Sequence, residues 1–202
     1  LLEKPKNSLI SQSRAAQESS FVLNADGFGV AWYDNSIDQF AGVFKSIRPA
    51  WNDNNLHHIA SKIKSDCFIG HVRASTVGDV TVNNCHPFTY KQYTFVHNGT
   101  IGSFEKIRKR LLNELDDEYL NNIKARTDSE HIFALVMQYL HKDSSKDLAM
   151  AIKHAFSKVD EWQKDLGDDA YSKLNVVLTD GEQLVATRYV NKGKDPLTLH
   201  YA

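Results

Sequence analysis

The chain has little with which to build a covalent or metal-held scaffold: 202 residues contain two cysteines, Cys67 and Cys85, and no Cys-x-x-Cys pair. That excludes a disulfide framework and a cysteine-rich zinc module, and it accords with a reducing, cytoplasmic setting. Charge of one sign is also lacking. Lys plus Arg total 24 against 25 Asp plus Glu, a net charge of -1, so the basic surplus of a general nucleic-acid binder is missing. No apolar run approaches the roughly 20 residues of a bilayer-spanning helix, and no secretory signal is visible. The nine histidines include no HExxH and no ligand-spaced cluster, so no metal and no cofactor is expected. Four prolines and ten glycines form no linker, repeat or low-complexity tract, and residues 1–202 read as a single domain. Residue 1 is Leu rather than Met, which reads as a processed or incomplete N-terminus.

What is present is a 42% hydrophobic share, ordinary for a packed core. Residues 5–13 could form a short helix opening with Pro5. Phe28 to Tyr33 alternates and is rich in β formers, and Phe40 to Ile47 could pair with it across Asp34-Asn35-Ser36. Leu56, Ile59, Ala60 and Ile63 give a short helix; Cys67 to Val72 reads as a buried strand and Tyr93 to His97 as another. Ser103 is placed to cap a helix carrying Phe104, Ile107 and Leu111. Thr127-Asp-Ser-Glu130 is a capping box before the stripe Ile132, Val136, Tyr139 and Leu140. A stronger stripe runs from Leu148 to Trp162. Leu174 to Thr179 and Leu184 to Tyr189 form a hairpin about Asp180-Gly181, and Leu197 to Tyr201 starts another strand. Strands, then helices, then strands predict an α+β layered domain with mainly antiparallel sheets. Ending inside a strand suggests an incomplete C-terminus.

Four polar segments follow or interrupt apolar runs: Asn24-Ala-Asp-Gly-Phe-Gly29, His71-Val-Arg-Ala-Ser-Thr76, His97-Asn-Gly99 and Thr127-Asp-Ser-Glu130. Each has a plain explanation alone. Asn98-Gly99 after a strand suits a hairpin turn. Asp128 in a first helical turn suits the helix dipole. Arg73 at a strand end suits a surface charge or ion pair. The glycines of the first segment suit a turn, since GxGxxG is lacking and a strand follows. Together they describe a site. An arginine fork holds a carboxylate and an aspartate holds an ammonium, which is the α-amino-acid end of a substrate. An asparagine amide with a glycine N–H forms an oxyanion hole, and glycine lets the backbone approach closely. The set fits acyl transfer on an amino acid with a side-chain amide, and glutamine fits.

The segments Asp26-Gly-Phe-Gly29, Gly70-His-Val-Arg-Ala-Ser-Thr76, Asn84-Cys-His-Pro-Phe88, Val96-His-Asn-Gly99 and Thr127-Asp-Ser-Glu130 resemble, in order and spacing, the class II glutamine amidotransferase domain, an N-terminal-nucleophile hydrolase. The likeness spans roughly residues 5–190 and is greatest for the YafJ-type stand-alone branch and its yeast-type members, which act in glutathione degradation. It implies a four-layer α-β-β-α sandwich of two mainly antiparallel sheets. It implies that Arg73 binds the substrate α-carboxylate with help from Thr76, and that Asp128 holds the α-ammonium. Asn98 and Gly99 would form the oxyanion hole. His86 would line the pocket, with a purely structural histidine an equal alternative. Asn24, Asp26 and Gly27 would lie near the nucleophile. The implied ligand is glutamine or another γ-glutamyl compound, with a partner enzyme subunit as companion and with neither nucleic acid nor membrane.

The family nucleophile is a Cys at the mature N-terminus whose own α-amine acts as base. Position 1 is Leu. Cys67 is expected to be inert strand packing. Cys85 and His86 are adjacent on an extended segment and face opposite ways, which suits proton transfer poorly. The expectation is therefore that the Cys-bearing first strand and the last strands are missing from the 202 residues, which would leave the chain as it stands inactive. A catalytically silent glutamine-binding subunit is the other reading.

Overall fold

A computed structural model describes residues 2–16, 23–74, 79–167 and 169–200. They form an α+β protein with two antiparallel sheets and a set of helices. Contacts group into two compact units, Leu1–Val96 with Asp180–Gln183, and His97–Thr179 with Leu184–Ala202. Composition marks no such boundary because the chain changes unit inside a strand, not at a polar linker.

In the first unit β1 (Phe28–Trp32) lies between β2 (Gly42–Ser46) and β3 (Phe68–Val72), with Phe28 opposite both Ser46 and Val72. Phe28, Val30 and Trp32 share one face by the two-residue period. They pack with Leu2, Ala50, Leu56, Phe44, and with Leu9 of α1 (Leu9–Arg14) and Ile59 of α2 (Asn54–Ala60). Tyr33, on the other face, reaches Gln92 O at 2.8 Å and Thr94 Oγ1 at 2.6 Å, beside β4 (Phe88–Tyr90) and the start of β5 (Tyr93–Thr100). The central strand is thus covered on both sides, which its small Gly29 and Ala31 permit.

Local chemistry moves several boundaries. The first helix begins at Leu9 because Ser8 caps it, accepting Ser11 N–H at 3.1 Å; Pro5 instead supplies the carbonyl of the preceding turn. Asp53 starts α2: Oδ1 accepts Leu56 N–H at 3.0 Å and Oδ2 the Ser46 hydroxyl at 2.8 Å, so this buried carboxylate is satisfied. Cys67 falls outside β3 and is half-buried, in contrast to the buried strand position expected of it.

The second unit holds α3 (Phe104–Glu114), α4 (Asp117–Leu120), α5 (Asp128–Lys142) and α6 (Leu148–Leu166), with β6 (Lys173–Thr179) and β7 (Leu184–Ala186). Helix α5 packs against α3, α4 and α6. Its buried surface extends well beyond the expected stripe. Gln138 accepts Asp116 N–H at 2.6 Å and donates to Glu114 O at 2.8 Å, satisfying backbone between α3 and α4. Thr127 caps α5 through Glu130 N–H at 3.2 Å, and the Glu130 carboxylate accepts the N–H groups of Lys124 and Ala125. Ser103 stands at the N-cap of α3 in left-handed conformation without a side-chain capping bond.

The hairpin pairs Thr179 with Leu184, the expected strand ends, and Asp180 N–H donates to Gln183 O at 3.4 Å within the four-residue loop. Asp180 Oδ1 accepts the N–H groups of Glu182 and Gln183 at 3.1 and 2.8 Å, which stabilises the loop. Regular β7 ends at Ala186 because Val176 N–H bonds to the Thr187 hydroxyl at 3.1 Å in place of a main-chain carbonyl. Residues 197–200 form no strand; the Leu197 and Thr198 carbonyls accept from the Asn175 amide instead. The remainder of the strand expected there, Tyr201, lies outside the described residues. Among the described residues no helix is long and apolar enough to cross a membrane.

Candidate active site

In the first unit the ladder between β1 and β3 continues one step into the polar loops: Arg73 N–H donates to Gly27 O at 2.9 Å and Asp26 N–H to Arg73 O at 3.1 Å. This fixes the Asp26-Gly27 turn beside a buried arginine. Gly27 has φ 108, and a Cβ there would lie 2.7 Å from Cys85 Sγ and from Ser46 O, so only glycine fits. The Asn24 amide donates to Gln12 O at 3.3 Å and its main-chain N–H to Ser13 O at 2.9 Å, tying the loop to α1.

His86 is buried, with its ring centroid 4.2 Å from that of His71 and 4.7 Å from that of Phe88. Its neighbour Cys85 is fully buried and donates to carbonyls, Thr81 O at 3.5 Å and Ser46 O at 3.7 Å. Burial pushes the Cys85 thiol up, with Arg73 and Lys45 pulling against that shift. A nucleophile needs the opposite, an exposed thiol with a lowered pKa. Thr76 lies outside the described residues.

In the second unit the last residues of β5 include Asn98, which is exposed, and Gly99, with φ 149. A Cβ at Gly99 would overlap the Lys173 carbonyl oxygen, so the strand end closes against β6 only with glycine there. Asn98-Gly99 therefore lies within a strand and is not the turn of a two-residue hairpin. Asp128, the first residue of α5, is half-buried; Oδ2 accepts Ile101 N–H at 2.8 Å and Oδ1 accepts Ser129 N–H at 2.8 Å. A carboxylate offers about four acceptor positions, so Asp128 can also take an ammonium.

The expected residues thus gather in two sets: Asp26, Gly27 and Arg73 near Cys85 and His86 in the first unit, and Asn98, Gly99 and Asp128 in the second. His71, His97 and Ser129 received no role from sequence alone. Each lies inside a quoted motif, the only signal that marked it.

Residues 8–198 match the family of class II glutamine amidotransferases. The chain is 40% identical over 224 aligned positions to the "Probable glutamine amidotransferase DUG3" of Saccharomyces cerevisiae, covering 100% of this chain and 63% of that protein. It is 29% identical over 102 residues to a gamma-glutamyl-hercynylcysteine sulfoxide hydrolase of Mycobacterium tuberculosis, covering 50% of this chain and 42% of that protein. A solved glutamine aminotransferase class-II domain protein from Silicibacter pomeroyi superposes with a TM-score of 0.70 at 32% identity, over 83% of this chain and 72% of that one. The chain belongs to the class II glutamine amidotransferase family. It spans 63% and 42% of the lengths of the yeast and mycobacterial relatives.

Proposed function

We propose that this chain is the amidohydrolase domain of a protein that cleaves γ-glutamyl amide bonds, with glutamine as the default substrate. The observation that carries the reading is the end of β5, where an exposed Asn98 amide and an obligatory glycine stand on the strand whose next residue, Ile101, is bonded to Asp128. Asp128 holds the substrate α-ammonium. Arg73 takes the α-carboxylate, with Thr76 assisting, and His86 supports the pocket wall near Asp26 and Gly27. A thiolate attacks the γ-carbonyl carbon, and the carbonyl electron pair moves onto oxygen. The Asn98 amide and Gly99 N–H stabilise that oxyanion. Collapse expels ammonia or an amine, which takes a proton, and leaves a glutamyl thioester that water hydrolyses to glutamate.

In this reading the thiolate is the family's N-terminal cysteine, which is neither Cys67 nor Cys85. Cys85 is buried with its thiol raised, and Cys67 lines a different cleft of about 330 Å³ with Tyr33, Asp34 and Lys64. A second acyl donor class, γ-glutamyl peptides, is favoured by the match to a hydrolase whose name specifies a γ-glutamyl cysteine sulfoxide. A cytoplasmic location and a partner subunit belong to the same proposal.

The test is product analysis on the full-length protein with glutamine and glutathione side by side. Release of glutamate supports the enzyme, and the faster donor identifies the class. Tight glutamine binding without glutamate release would make the protein a silent binding subunit. Neither binding nor turnover would end the reading.

A further inference from the structure

The buried His97 ring lies between the two groups assigned to substrate in the second unit. Nε2 is 3.2 Å from the Lys173 carbonyl oxygen, which can only accept, so Nε2 carries a proton. Nδ1 is 2.9 Å from the Ser129 hydroxyl. That hydroxyl is 3.2 Å from Asp128 Oδ1, the oxygen that also takes Ser129 N–H. The Lys173 carbonyl is the atom that Gly99 closes against, and a Cβ at Gly99 would stand 2.8 Å from His97 Nε2. A carboxylate only accepts, so the hydroxyl's one proton goes to Asp128, and the hydroxyl oxygen accepts from Nδ1, which therefore carries a proton too. One ring thus reaches the backing of the oxyanion strand through Nε2–H and the ammonium carboxylate, by way of a single hydroxyl, through Nδ1–H.

We infer that His97 is a positioning residue that sets both ends of the second-unit site. Through Nε2–H and Lys173 O it holds Gly99 N–H in place, and through Nδ1 and Ser129 it fixes the rotamer of Asp128. The inference rests on the functional reading above for what those two groups bind. The link itself rests only on the four hydrogen-bonding groups.

The two nitrogens can be separated by substitution. An Asn side chain puts a polar atom where Nδ1 stands, and a Gln side chain puts an N–H where Nε2 stands. In the full-length protein, His97→Gln keeps the Lys173 contact and loses Ser129; it should raise KM for glutamine about tenfold, with the main loss not in kcat. His97→Asn keeps Ser129 and loses Lys173; it should lower kcat about tenfold, with the main loss not in KM. Ser129→Ala should reproduce His97→Gln, and the double variant should be no worse than either single one. Equal losses in KM and kcat for the Asn and Gln variants, or additive effects of His97→Gln and Ser129→Ala, overturn the assignment.

Histidine-selective nitrogen NMR decides the link without turnover. The wild-type ring should show a proton on each nitrogen, and Ser129→Ala should shift the Nδ1 resonance while leaving Nε2 in place. A bare Nδ1 or a bare Nε2, or an Nδ1 signal indifferent to Ser129→Ala, overturns the link even in a fully active enzyme. A wild-type protein that cleaves no γ-glutamyl amide but passes the NMR arm overturns the functional reading and leaves the link standing.

Discussion

Asp128 and Ile101 are joined by a 2.8 Å hydrogen bond from the Ile101 N–H to Asp128 Oδ2, which ties the first residue of α5 to the chain just past β5. Ile101 is buried, so its N–H has no access to bulk water if the carboxylate is removed. Asp128 therefore has a structural duty as well as its proposed ligand duty, and two substitutions tell them apart. Asp128→Asn keeps an oxygen for Ile101 but loses the charge. It should raise KM for glutamine by about 10- to 100-fold, from the 1.5–3 kcal/mol of a charge-assisted bond, with a smaller fall in melting temperature than Asp128→Ala, since its NH2 group loses only the Ser129 N–H. Asp128→Ala should also lose about 1–3 kcal/mol of stability through the orphaned N–H. Steady-state kinetics and thermal melts check both, and an unchanged KM in Asp128→Asn removes the ammonium role.

Asn98 and Gly99 should respond differently although they are adjacent. Asn98 is exposed, so Asn98→Ala should leave the melting temperature unchanged while kcat falls by about 10²–10³, the usual cost of one oxyanion donor. Gly99→Ala places a Cβ against the Lys173 carbonyl at a φ of 149, so activity and stability should fall together. If Asn98→Ala changes KM alone, the oxyanion role moves elsewhere.

The strands Phe28–Trp32 and Phe68–Val72 were legible from alternation and from a compact apolar run, and the helices beginning at Phe104, Asp128 and Leu148 from apolar stripes at helical spacing. The site motifs suggested a chemistry because an arginine and an aspartate suit the α-amino-acid end of a substrate and an Asn-Gly pair suits its side-chain amide; the roles themselves stay with the proposal. The rest turned on contacts that single residues do not announce. Thr187 breaks the hairpin ladder with its own hydroxyl, Gln138 is buried because two helix ends need its amide, and Cys67 lines a cleft because β3 starts one residue later. The Asn24 amide also bonds to α1, a contact that its motif does not announce. The division into two units has no compositional trace, since β5 passes through it unbroken.

The two cysteines should differ sharply toward thiol reagents. Cys67 is half-buried beside a cleft, whereas Cys85 is fully buried and burial pushes its thiol above the ordinary value. With a disulfide reagent at pH 7.5 the native protein should label Cys67 promptly. Cys85 should label only as fast as the first unit opens, hence fully in denaturant. Peptide mapping of the labelled sites checks this. Prompt labelling of Cys85 in the native state would reopen it as a nucleophile.

His131 makes stability depend on pH in a defined direction. Its ring is fully buried on α5, with Nδ1 2.7 Å from Thr127 O and Nε2 3.1 Å from Arg108 Nε. Arg108 can only donate, so Nε2 is a bare acceptor and the ring is neutral. Burial is the main cause that lowers its pKa; Arg108 adds to the shift, while the Thr127 bond, Asp128 and Glu105 oppose it. A histidine with a lowered folded pKa takes its proton first in the unfolded chain. Its contribution is therefore complete above the unfolded value of about 6.5 and is lost as pH falls below it, until the folded ring protonates. Urea unfolding at pH 7.5 and 5.5 should give a smaller stability at the lower pH. His131→Gln, whose amide oxygen can still accept from Arg108, should lose less over the same interval. Equal losses in the two proteins would mean that His131 is charged in the fold, and the Arg108 contact would then have to be broken in solution.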